Sequence, residues 1–87
     1  MKSMFKQIYT VVSTDSLIDD IVYVISFSTE EKAKQEMQRC CNQFCNENNV
    51  YFKHIDDRIS ICYYKEDNGS NASGRFTVEV LPSYIME

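Results

Sequence analysis

Eighty-seven residues with 44% apolar and 25% charged side chains are enough for one domain with its own core, and give neither a repeat array nor a disordered chain. The formal net charge is −4, with 13 acidic against nine basic residues and no cluster of Lys or Arg, so direct binding to a phosphate backbone is disfavoured. No stretch approaches the length of a membrane span, which argues against a membrane partner.

Met1 to Gln7 lack the apolar run of a signal peptide, so the expected location is cytoplasmic and the expected state of the four cysteines is the reduced thiol. Residues 5–13 are rich in β-branched and aromatic side chains and predict a first strand with both faces partly apolar. Thr14, Asp15 and Ser16 carry turn chemistry, Asp19-Asp20 ends the turn, and residues 21–27 predict a second strand, paired antiparallel with the first.

From about residue 29 to 47 the pattern changes to an amphipathic helix. Ala33, Met37, Cys40, Cys41 and Phe44 fall on one side of a 3.6-residue period, with Lys34 and Gln38 outside. Ser28 is placed as N-cap, with Glu31 closing a capping box. The pairs Glu30/Lys34 and Lys32/Glu36 stand at i,i+4, and Asn46, Asn48 and Asn49 offer a left-handed stop.

Residues 50–55 predict a third strand, Asp56-Asp57 a tight turn and residues 58–64 a fourth strand. Residues 65–74 read as a loose polar loop in which Asn68-Gly69 suits a type I′ turn of a long hairpin. The sequons at Asn68 and Asn71 are coincidences of that loop if the chain stays in the cytoplasm. A fifth strand is expected over residues 75–81, ended by Pro82, with the tail either mobile or docked through Tyr84 and Ile85.

The order ββαβββ with one helix gives an α+β two-layer sandwich, a single helix on a mainly antiparallel five-stranded sheet. One helix covers one face only. The other face, with 11 aromatic residues spread through the chain, is left for water or a partner.

Chemistry is sparse. Cys41, Cys45 and Cys62 with His54 could be drawn as a zinc set, but the chain lacks paired Cys-x-x-Cys knuckles, so buried thiols without metal or other cofactor are the expectation. His54 has no partner pattern for nucleophilic or acid–base work, and no phosphate loop or nucleophile motif is present, so the chain is read as non-enzymatic. The expected binding residues are the acidic turns Asp19, Asp20, Asp56 and Asp57 and the strand tyrosines Tyr63 and Tyr64. Of the two tyrosines, one is expected to serve binding and the other folding, because neighbours on a strand face opposite ways. Asp19, Asp20, Asp56 and Asp57 would mimic a nucleic acid only if folding gathers them at one end of the sheet.

In size, acidic balance, lack of a catalytic motif and one helix on a small sheet, the chain resembles the small anti-defence proteins of phages and mobile elements, such as anti-CRISPR inhibitors. The resemblance implies stoichiometric binding to a protein partner with a basic nucleic-acid-handling surface, and carries over no site residue. The alternative expectation is a structural or regulatory homodimer joined through the exposed sheet face or edge strands.

Overall fold

Ala33, Met37 and Cys41 recur every four residues, and in the computed structural model all three are buried against a sheet. The structure describes residues 5–18, 20–65 and 72–86. The expectations for Asp19, the type I′ turn and the two sequons lie outside them.

The elements are β1 (Phe5–Asp15), β2 (Asp20–Phe27), α1 (Glu30–Glu47), β3 (Asn49–Ile55), β4 (Ile59–Lys65) and β5 (Ser73–Met86). All pairings are antiparallel, in the order β2-β1-β5-β4-β3. The α+β sandwich and its ββαβββ order are therefore as expected. Both edge strands, β2 and β3, are joined through α1, so the helix must cross the sheet. Four interstrand steps of about 4.8 Å make about 19 Å, and an 18-residue helix is long enough to bridge them.

The helix ends differ from expectation. Thr29, not Ser28, is the N-cap, its hydroxyl accepting from the Lys32 amide at 3.3 Å. The cap thus lies one residue later, Lys32 falls where a capping-box acid would be needed, and Glu31 has no box to close. Asn48 stops the helix in an extended conformation (φ −134°) rather than a left-handed one, its Nδ2 donating to the Phe44 carbonyl at 3.1 Å. Glu30–Lys34 forms at 2.9 Å. Glu36 turns instead to Arg39, whose guanidinium forks onto it at 2.6 Å, and accepts the Tyr23 hydroxyl at 2.8 Å. This triad ties β2 to the helix, and Arg39 holds the Glu36 carboxyl down at about 2.

The core lies between helix and sheet. Val11, Cys62, Tyr64, Phe76, Val78 and Val80 meet the helix stripe, with Phe44 stacked on Phe76 at 4.1 Å and edge-on to Tyr64 at 4.9 Å. Gly74 stands opposite Tyr64 in register. A Cβ there would come within 2.7 Å of the Tyr64 ring and 2.8 Å of Leu17, so only glycine lets the ring cross. The Tyr64 hydroxyl continues to Asp15 Oδ1 at 2.6 Å, and the same oxygen accepts the Leu17 amide.

Pro82 does not end β5. The strand runs on to Met86, paired with β1 from Phe5 upward. The Val80 amide points toward β4, donating to the Arg58 carbonyl at 2.8 Å, so position 82 faces the same side. β4 is no longer paired with β5 there, its last partner being Glu79, and the missing proline donor costs nothing. Beyond the body, β1 and β5 form a two-stranded arm that helps draw the molecule out to 60 × 21 × 16 Å.

Candidate functional site

Alternation along the strands sorts every side chain to one face or the other. Opposite the helix, the register builds rows across the sheet. Val24, Val12, Glu79 and Ile59 form one; Ile21, Thr14, Thr77, Ile61 and His54 the next; Arg75, Tyr63 and Phe52 a third. Thr10 lies between Ser26 and Leu81 in a further row and shares a hydrogen bond with Ser26 at 3.0 Å. No element of the described residues covers this face. Ile21 is 57% exposed, Val24 54%, Phe52 56% and Leu81 43%.

The face is less aromatic than expected. Tyr9, Tyr23, Phe27, Tyr64 and Phe76 share the parity of the buried aliphatic residues and point toward the helix. What remains outside is chiefly Ile, Val and Thr, with Tyr63 and Phe52 in ring contact at 5.6 Å. Tyr51 pairs with neither Tyr63 nor Tyr64. The register shifts between Val50 and Phe52, so Tyr51 drops out of the ladder and Phe52 takes its place beside Tyr63.

The strand tyrosines divide as alternation requires. Tyr63 is half-buried on the open face. Tyr64 is 5% exposed and locked to Asp15 and Phe44, so it offers no area to a partner and leaves the candidate binding set.

The acidic turns do not come together. Asp20 pairs with Asp15 where β1 passes into β2, while Asp56 and Asp57 lie at the β3–β4 turn. The antiparallel order places these turns at opposite ends of the sheet and toward opposite edges, so the gathering that mimicry needs does not occur between Asp20 and the other pair. Asp57 is also engaged within the molecule. Lys34 reaches it at 2.7 Å and Arg58 reaches Glu30 at 2.6 Å, pinning the turn to the helix start. Lys34 holds the Asp57 carboxyl below its ordinary value. Asp56 is exposed, its carboxylate accepting the Asp57 amide at 2.8 Å.

The proposed fourth zinc ligand is on the wrong side. His54 is in register with Ile61 on the open face, whereas Cys62 faces the helix. The sulfurs of Cys41 and Cys62 stand 3.3 Å apart, and those of Cys45 and Cys62 4.0 Å. Burial, and then Cys41, push the Cys62 thiol well above the ordinary range. Cys40 is apart from this group, its sulfur 3.6 Å from Glu36.

Sequence reasoning missed most of the open face: Ile21, Val24, Ile59, Ile61 and Leu81 read as ordinary strand residues until pairing shows which parity is left bare. It also misses the arm, where Tyr84 is 67% and Met86 68% exposed, because Pro82 reads as a terminator. Comparison with protein families, curated proteins and solved structures gives no match. No helix of the described residues is long and apolar enough to cross a membrane.

Proposed function

We propose that this chain is a non-enzymatic protein-binding module that engages its partner through the open face of the sheet. The observation that carries the reading is the uncovered surface itself: all five strands contribute aliphatic or aromatic side chains to it, set among Thr14, Thr77, Glu79 and Arg75, with Ile21, Val24, Phe52 and Leu81 all more than 40% exposed. Such a surface costs solubility unless something covers it. The net charge of −4 favours a basic partner and disfavours direct contact with phosphate backbones. The role that fits is an inhibitor of the anti-defence kind, occupying a basic nucleic-acid-handling surface of a defence complex such as CRISPR-Cas. Asp20 and Asp56 steer the approach from two corners, and Tyr63 with Phe52 anchors one side.

The test is site-specific photo-crosslinking in the native host. A crosslinker at position 81 on the open face should trap a discrete partner band, and one at Gln38 on the outer helix surface should not. Equal trapping at both positions, or trapping at Gln38 alone, rejects the face.

A second reading is favoured by β2. Past the register shift at its start this edge runs Tyr23 to Phe27 without Lys, Arg, Pro or Gly, whereas the β3 edge carries Lys53, His54 and the shift at Tyr51. Two copies could pair β2 to β2 into one continuous sheet. Light scattering after size exclusion across a concentration series decides it, since a one-chain mass throughout excludes the pair.

A further inference from the structure

We propose that Cys41, Cys45 and Cys62 form a three-thiolate site for one thiophilic d10 cation, zinc or cuprous copper. Spacing in the chain argues against a metal; the fold supplies what the spacing hides. Cys41 and Cys45 are one helical turn apart, and β4 brings Cys62 beneath both, so that the three sulfurs lie within 4.8 Å of one another. A zinc–sulfur bond of about 2.3 Å requires tetrahedral sulfurs about 3.8 Å apart, and a trigonal arrangement about 4.0 Å. The separations of Cys62 from Cys41 and Cys45, 3.3 and 4.0 Å, bracket the first value, and the Cys41–Cys45 pair, within 4.8 Å, closes by at most about 1 Å to meet it.

The surroundings suit a soft ion. Thiolate donors select zinc and cuprous copper over hard cations. Cys41 and Cys62 are buried, while Cys45 is half-buried and opens to a cleft of about 280 Å³ at the β3 edge, lined by Val50, Tyr51, Phe52 and Lys53. This cleft gives the ion a path and leaves room for a fourth, exogenous ligand. Lys53, a cation, is opposite Cys62 in register on the same face of the sheet and lines the same cleft. Binding exchanges up to three S–H bonds for three S–metal bonds. The protons leave to solvent and no electron is transferred.

Cys40 provides an internal control, since it is adjacent in sequence and outside the cluster. The fully reduced, metal-free protein is titrated anaerobically with zinc, and separately with cuprous copper, each against a chromophoric chelator. Wild type and Cys40→Ser should take up one equivalent of at least one ion. Cys45→Ser, which changes a rim ligand and leaves the buried pair in place, should bind at least about 100-fold more weakly. On unmodified protein, the bound ion should protect Cys45 from alkylation while Cys40 still reacts, a readout that needs no variant to fold. Uptake of zinc, of copper or of both supports the site and identifies its ion. Failure of both ions to bind at one equivalent, equal weakening by the Cys40 and Cys45 substitutions, or equal protection of both cysteines overturns it.

Discussion

The two faces of the sheet are built from the same strands and both carry aliphatic and aromatic side chains, yet one is a core and the other, which also holds Glu79, Arg75 and His54, is bare. On the helix side, Val11, Cys62, Val78 and Val80 are at most 2% exposed. One residue along each strand, Val12, Ile61, Thr77 and Leu81 face out. Hydrophobicity alone therefore does not decide burial here. Connectivity does: α1 joins the two edges and can cross only once, and no other element of the described residues layers the second face. On the reading proposed above the bare face serves binding, and the two sides should then answer mutation in opposite ways.

The largest effect is expected at Phe44. It bridges Phe76 and Tyr64 under the helix, and Phe44→Ala should cost about 3–4 kcal/mol in denaturant unfolding. A shift below about 1 kcal/mol would make the helix a loose cover and erase the contrast between faces.

Next comes Gly74→Ala. The added methyl meets the Tyr64 ring and displaces it from Asp15, so a loss of about 1–3 kcal/mol is expected, with a change in near-ultraviolet tyrosine dichroism. This dependence shows where the sequence stops being legible. The strands, the helix stripe, the hairpins and the split between Tyr63 and Tyr64 follow from periodicity and alternation. Gly74 read only as part of a loose loop, because its role depends on a ring ten residues away. Pro82 read as a terminator because the chain does not disclose that β4 is already gone at that level. The parity of the bare face was hidden for the same reason: alternation gives two faces, and only the helix crossing decides which one is covered. His54 and Cys62 looked combinable because their separation on opposite faces is a property of register, which shifts at Tyr51.

The tie between helix and β2 is sensitive to acid. Glu36, held down at about 2 by Arg39 against an ordinary 4.5, contributes stability that is fully present above its unfolded value and is lost as the pH falls from about 4.5 toward 2. Glu36→Gln should flatten that part of the stability–pH profile. An unchanged slope would show that the fork to Arg39 holds no more in the folded chain than in the unfolded one.

The smallest effect has the opposite sign. Ser60 is fully buried on the helix side, and its hydroxyl has no hydrogen-bond partner. Ser60→Ala should stabilise the chain by about 1 kcal/mol in the same unfolding experiment, by removing an unsatisfied polar group. A loss instead would mean that the hydroxyl is satisfied in solution.

The central claim, that the bare face is kept for a partner, is tested most directly by the dissociation rate of the partner complex with Val24, Phe52 and Leu81 all changed to Ser. These side chains are 43–56% exposed and lie outside the core, so each change should cost about 1 kcal/mol or less, the largest share at Phe52 through its ring contact with Tyr63. The account predicts a folded variant whose complex dissociates at least about tenfold faster than wild type. A folded variant that dissociates at the wild-type rate would contradict it.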